Sequence, residues 1–361
     1  MPKNRINQIE PFINHIDRNE LNKYLNSGGW ITEHNQNTKF ENLFKNFTKS
    51  KYAITFPNGT LTLVGILISL GIKKGDEVIV PSYTMVATAN SIKLIGGKVI
   101  FADISKENLC LCPQDLIKKI TKKTKAIIYV TLNGRSGFLD EITKICKKNH
   151  IYMIEDSAHS IGSFFKKKHH GNFGIASSFS FSMPKIITTG QGGMIVTNNL
   201  NLYKKLLKIK NFGRQSDGND FYSSIGYNFK FTDLQATLGI SQLKSLNWRI
   251  KQKKMIFNYY HEFLSKNKKI KFFKFSKSET PWFVDIYLNN PKKLQNFLRK
   301  KNIFTRLVYP SLDTLPIFNN KKRNKNANYY CKRGLWLPSS LDLNRSKILF
   351  ISKLINNFLN D

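Results

Sequence analysis

The stretch FSFSMPKIITTGQGGM, residues 179–194, sets one lysine between a serine-rich apolar run and three glycines. The run has strand composition, and Gly190, Gly192 and Gly193 permit positive φ or close backbone approach. A lysine held among apolar groups beside an electrophilic or cationic centre has a lowered pKa and becomes a nucleophile toward carbonyls. By itself the stretch reads as readily as a surface lysine before a turn. The surroundings of Lys185 have to decide.

Upstream, short apolar runs at 77–81, 99–104, 126–132 and 151–155 are bounded by turn residues and read as strands buried on both faces. Amphipathic segments alternate with them: Leu61–Leu70, Pro113–Lys122 and Leu139–Asn149. This rhythm predicts an α/β domain with a mostly parallel sheet, whose strand C-termini gather a ligand along one edge. A long helical stretch starts near Thr232 and continues to about Leu264. Beyond residue 270, shorter patterns such as WFVDIYL (282–288) and PKKLQNFLRKKNI (291–303) predict a smaller α+β domain. The expected division is a large domain over 1–245 and a small one over 246–361, with the N-terminal segment packing on the latter. NNKKRNKNAN, residues 319–328, reads as a polar surface loop.

Two stretches place chemistry on the expected edge. PNGTLTL (57–63) is a turn running into a helix, where the N–H groups at Gly59 and Thr60 and the Thr60 hydroxyl can cradle a phosphate. MIEDSAHSIG (153–162) ends a buried strand in Glu155 and Asp156, carboxylates poorly placed for a structural role. Asp156 can pair with a ring nitrogen that must stay protonated, or cap the next helix; both readings fit. A phosphate cradle, an acidic strand end, Ser180 and then Lys185 is the set that pyridoxal 5′-phosphate (PLP) requires. A dinucleotide site at GQGG does not fit, because these glycines do not join a strand to a helix.

The 58 Lys and Arg against 23 Asp and Glu give a net charge of +35. A nucleic-acid partner is one reading of that charge. The lysines are scattered beside Asn and Ile, as compositional bias would leave them, and no nucleic-acid motif accompanies them. No specific nucleic acid is therefore expected, while a positive field favours an anionic small substrate. Cys110, Cys112, Cys146 and Cys331 show no metal spacing and read as reduced thiols. With no signal-like N-terminus and no run of about 18 apolar residues, the expectation is a cytoplasmic protein without a membrane partner.

Further stretches carry a resemblance: GGWITEHNQNTKFENLFKNF (28–47), GDEVIVPSYTMVATANSIKLIGGKVIFADI (75–104), TKAIIYVTLNGRSG (124–137), GYNFKFTDLQATLGISQL (226–243) and TRLVYPSLDTLPIF (305–318). With the motifs above and in this order, they resemble the DegT/DnrJ/EryC1/StrS family of PLP-dependent sugar-nucleotide aminotransferases. The likeness covers nearly the whole chain and is strongest to perosamine-synthetase-like members. It implies the fold-type I architecture: a mostly parallel central sheet flanked by helices, with a smaller α+β C-terminal domain.

The resemblance also implies roles. Lys185 matches the lysine that carries the cofactor and later serves as base, and Asp156 the carboxylate that keeps the pyridine nitrogen protonated. Gly59, Thr60 and Ser180 match phosphate ligands. Asn228 matches a residue that reaches the neighbouring subunit's phosphate site, so a homodimer with shared sites is expected. His159 stands where many relatives have Gln near the cofactor's phenolic oxygen, and its hydrogen bond is expected to depend on pH. Met85 stands where many place an aromatic ring. Gln191 replaces a common Glu, and Lys230 a frequent Arg. The implied reaction moves an amino group from L-glutamate to C4 of a nucleotide-linked 4-keto-6-deoxyhexose. Amination at C3 and PLP-dependent dehydration are the alternatives, the latter disfavoured because relatives that dehydrate carry His in place of Lys185. Arg214, Lys230, Arg306 and Tyr309 are the candidate sugar-nucleotide contacts, the two arginines for the diphosphate.

Overall fold

The computed structural model describes residues 5–215, 220–320 and 322–360. Each apolar run becomes a strand because both of its faces are covered. The first five are β1 (Tyr52–Phe56), β2 (Glu77–Pro81), β3 (Lys98–Ala102), β4 (Thr124–Val130) and β5 (Tyr152–Asp156). After a short hairpin, β6 (Phe164–Phe165) and β7 (Lys168–His169), come β8 (Ala176–Ser180) and β9 (Gly193–Thr197). Seven of these form one sheet in the order β1-β9-β8-β5-β4-β2-β3. From β8 to β3 every pairing is parallel, and only β9 runs against its neighbours. Alternation along β4 sends Ala126 and Ile128 into one core and Ile127 and Tyr129 into the other. Helices cover both faces, as a parallel sheet requires.

The helical stretch after Thr232 is two helices, Asp233–Lys244 and Leu246–Leu264. The break falls at Ser245, whose hydroxyl donates to the Gln242 carbonyl (3.0 Å) and accepts from Arg249 Nε (2.8 Å). A side chain that bonds to nearby backbone competes with the helix ladder.

A second sheet, β10 (Asp285–Tyr287), β11 (Arg306–Leu307) and β12 (Gly334–Trp336), is antiparallel, with β12 central. Ile256, Leu264, Ile286, Leu335, Ile348 and Ile351 form a core beneath it. The main chain of Ile6 pairs with Ile303 beside this layer. WFVDIYL forms a strand only in its second half. Its first half is held by Asn133, which accepts the Trp282 N–H at its carbonyl (3.2 Å) and the Phe283 N–H at its side chain (2.7 Å).

The reading of 319–328 as a surface loop needs correction. A helix, Lys325–Cys331, starts inside it, and Ala327 is fully buried. The N–H groups of Asn326 and Ala327 donate to the Asp103 carboxylate (2.9 Å each), and the Asn324 side chain donates to Ser82. Polar composition hid a buried, hydrogen-bonded helix start; Lys321 lies outside the described residues. Among the described residues no helix is long and apolar enough to cross a membrane, and no group of His, Cys, Asp or Glu is placed to hold a metal.

Candidate active site

The C-terminal ends of β1, β2, β4, β5 and β8 open onto one cavity of about 330 Å³. Gly59, Thr60, Met85, Asp156, His159, Ser180, Lys185, Arg306 and Tyr309 all line it, as does Gln191. The topology thus gathers residues that lie up to 250 positions apart, Gly59 to Tyr309.

After β1 the chain turns at Asn58, whose side chain caps the helix Gly59–Ser69 by accepting the Leu61 N–H (2.9 Å). A helix start leaves the N–H groups of its first residues without intrahelical partners, and the macrodipole favours an anion there. Ser180 ends β8 beside this turn. A Cβ on Gly59 would lie 2.9 Å from the Ser180 Cβ, and one on Gly193 would lie 2.7 Å from the Asn58 carbonyl. The two glycines therefore let the helix start, β8 and β9 close into one cradle.

Asp156 is buried at the end of β5. Thr88 Oγ1 donates to its Oδ2 (2.8 Å) and the Ala158 N–H to its Oδ1 (3.2 Å), so it does cap the following turn while facing the cavity. Burial raises its pKa, against the lowering effects of Thr88, Ala158 and Lys185. Glu155, one residue earlier, points the other way. Its carboxylate accepts the N–H groups of Gly171 (2.8 Å), Phe173 (2.6 Å) and Gly174 (2.8 Å). The expectation that both carboxylates lack a structural role fails for Glu155, which holds the 171–174 turn.

Lys185 sits in the cavity wall. Burial lowers its pKa to about 7, with Asp156 pulling it up and Arg306 pushing it down. His159 is buried and stacked on Trp282, ring centroids 3.9 Å apart. Burial, then Lys185, holds its pKa well below the usual histidine value. Any pH dependence of its hydrogen bonding is thereby moved below the usual histidine range. Its Nδ1 accepts the Asn133 N–H (3.4 Å), which assigns the ring proton to Nε2.

Arg214, Lys230 and Asn228 are not brought to this cavity. Arg214 and Lys230 line a separate cavity of about 980 Å³ with Trp30 and His34. Arg214 is paired with Asp220 (2.6 Å), and Asn228 bridges to Asn211. Neither Arg214 nor Lys230 therefore lines the cavity of Lys185 in its own chain.

Trp282 and Thr88 line or support the site, and neither was expected there. Trp282 Nε1 donates to the Pro184 carbonyl (2.8 Å), and Lys185 Nζ lies 4.2 Å from the Trp282 ring centroid. The only hint in the sequence is an aromatic residue after proline at the start of an incomplete strand pattern.

The donor set fits PLP. A helix N-terminus with Ser180 beside it suits a phosphate, and the buried carboxylate suits a protonated ring nitrogen. The amine near neutrality suits an aldehyde.

A buried amine also has a consequence for stability. Lys253, whose Nζ donates to the Ser339 carbonyl (2.7 Å), is likewise lowered to about 7, by burial and then Arg249. Between that value and the ordinary 10.5, the unfolded chain holds protons that the folded chain lacks, so stability rises with pH. Buried Cys110 and Cys146, pushed to about 12, reverse the sign above their ordinary value of 9.0. The unfolding free energy of the cofactor-free protein should therefore rise from pH 7 to about 8.5, and Lys253→Met should flatten the slope. Denaturant titrations at constant ionic strength measure this; a flat wild-type profile would count against it.

An amine, a carboxylate and a helix N-terminus around one cavity at a parallel sheet edge define a PLP-dependent aminotransferase. The chain belongs to the DegT/DnrJ/EryC1/StrS aminotransferase family, which it matches over residues 12–355, and it is a PLP-dependent sugar aminotransferase. It is 36% identical to the GDP-perosamine synthase of Escherichia coli O157:H7 over 98% of both chains. To the GDP-perosamine synthase of Vibrio cholerae it is 33% identical over 97% of this chain and 98% of the other. Among solved structures, the Helicobacter pylori aminotransferase PseC, involved in pseudoaminic acid biosynthesis, superposes with a TM-score of 0.93. It is 26% identical, and the match covers 99% of this chain and 100% of that one. A putative sugar aminotransferase from Streptococcus pneumoniae, in its PLP form, shares the fold: TM-score 0.92, 23% identity, 98% of each chain.

Proposed function

We propose that this chain transfers an amino group from L-glutamate to the C4 keto group of a GDP-linked 4-keto-6-deoxyhexose, forming a 4-amino-4,6-dideoxy sugar nucleotide. The observation that carries this reading is full-length similarity to two GDP-perosamine synthases in a chain whose cavity keeps Lys185 facing Asp156.

PLP, when bound, supplies an electron sink for the pair released as the Cα–H bond of the amino donor breaks. The chain's residues do the rest. Gly59, Thr60 and Ser180 would hold the phosphate. Asp156, fixed by Thr88 and Ala158, would keep a proton on the ring nitrogen. Lys185, with a pKa of about 7, is divided between amine and ammonium near neutral pH. It could take the proton from Cα of the donor and deliver it to C4′ of the bound cofactor, since a base tuned near the operating pH transfers protons best. His159, neutral, offers Nε2–H as a donor. Arg306 is exposed at the mouth, packed near Tyr309 and Trp336, and forms no ion pair among the described residues. Lining the cavity without an ionic partner among those residues, it could meet a substrate anion, either the diphosphate or the donor's carboxylate.

A second copy would complete the site. Trp30 (65% exposed), Ile31, Phe221, Tyr222 and Ile225 (82% exposed) leave apolar surface exposed, the last three a few residues before Asn228 and Lys230. A homodimer that buries this surface could present Asn228 to the neighbouring phosphate site. Light scattering should give twice 41.7 kDa; a monomer at assay concentration would remove the shared-site reading.

Incubation with PLP, L-glutamate and a GDP-4-keto-6-deoxyhexose should yield 2-oxoglutarate and a sugar nucleotide with nitrogen at C4, read by NMR and mass spectrometry. Nitrogen at C3 would overturn the position. A product without nitrogen would indicate dehydration.

A further inference from the structure

We propose that Trp282 is a positioning residue for Lys185, acting on it from the C-terminal sheet. The residue is delivered by a clamp. Asn133, in the loop after β4, has positive φ (56°) and bonds to residues 282 and 283 through its carbonyl and both ends of its side-chain amide. Trp282 is thereby inserted against the large sheet's open edge, where it is 2% exposed.

Three contacts follow. The indole N–H donates to the Pro184 carbonyl at 2.8 Å and so pins the main chain one residue before Lys185. The ring lies 4.2 Å from Lys185 Nζ, a distance at which an aromatic face attracts an ammonium. His159 stacks on the same residue with planes 16° apart. Lysine carries its amine on a flexible four-carbon stem, and reaction at a carbonyl needs the lone pair aimed. Trp282 restrains that stem at both its root and its tip, and restrains the neighbouring imidazole as well.

The inference rests on the reading that Lys185 carries PLP. In attachment, the neutral amine's lone pair forms the new bond to the aldehyde carbon, and the carbonyl oxygen leaves as water with two protons from the nitrogen and medium. A misaimed amine slows this step without weakening the phosphate's grip. Stopped-flow mixing of cofactor-free protein with PLP separates the two, because concentration dependence gives the affinity of initial binding and the first-order rate of attachment. Trp282→Phe keeps a ring and loses the N–H donor. It should slow attachment by about tenfold or more, with initial affinity within about twofold. An isosteric benzothienylalanine at position 282 lacks only the N–H and should do the same, and it answers the question if the phenylalanine variant folds poorly. Attachment at the wild-type rate in both would overturn the proposal. So would initial binding and attachment weakened alike, the mark of a merely structural residue. Lys185→Ala in parallel tests the underlying reading: if that variant still attaches PLP, the assignment of Lys185 fails whatever Trp282 does.

Discussion

Lys185→Ala is expected to lower turnover by at least about 10³-fold and to abolish the visible absorbance of covalently held cofactor. Two functions are lost together. On the proposed reading the side chain would be the nucleophile that retains PLP and, once released, the base that shuttles the proton. The fold should survive, because the variant removes an amine whose protonation burial already disfavours. Lys185→Arg is the sharper control. It keeps a cation beside Asp156, yet a guanidinium with pKa of about 12 or higher cannot give up its proton. If the lysine served only as a positive charge, arginine would restore activity; the expected result is that it does not. Steady-state assays with both variants, alongside near-ultraviolet circular dichroism for folding, decide the matter. Turnover within tenfold of wild type in Lys185→Ala would remove the residue from the mechanism.

Asp285→Ala should cost roughly 3–5 kcal/mol of stability. Arg135, in the loop after β4, is about 1% exposed and meets Asp285 on β10 through two hydrogen bonds, of 2.9 and 2.7 Å. The guanidinium also lies 4.1 Å from the Phe275 ring. Removing the carboxylate strands a cation where water cannot reach it. The pair itself need not be stabilising against an apolar replacement, since desolvation offsets much of the attraction. The double variant Arg135→Met, Asp285→Leu should therefore recover most of the loss. Denaturant unfolding of the cofactor-free proteins measures both. A loss below about 1 kcal/mol in the single variant would mean that the site relaxes enough to hydrate Arg135.

The sheet was legible because its strands are continuous apolar runs, and such runs have few alternatives in a chain this long. That Lys185, Asp156, Ser180 and the Gly59–Thr60 turn line one cavity was legible because each ends a strand or follows one within a few residues, in a short motif. Trp282 was not, since it reaches Lys185 across 97 positions (282 against 185) through a clamp made by Asn133. Nothing in its local pattern distinguishes that role from core packing. The Asn-rich stretch at 319–328 misled for a related reason: hydrogen bonds to the side chains of Asp103 and Ser82 bury groups that composition assigns to water. His159 carries the third lesson. An imidazole titrates near neutrality in water, and only its enclosure by Trp282 and Lys185 shows that here it does not.

Glu155 and Asp156 are neighbours in sequence with unrelated duties, one bracing a turn and one facing the cofactor cavity. Only the two-residue repeat of a strand keeps them apart. A deletion of one residue earlier in β5 would shift both by one place, moving Asp156 to the bracing position, Glu155 to the place of Ile154 in the apolar core, and Ser157 to the cavity. Substitutions along this strand can be absorbed one side chain at a time. Changes in its length cannot, and the 152–156 segment should tolerate altered spelling far better than altered spacing.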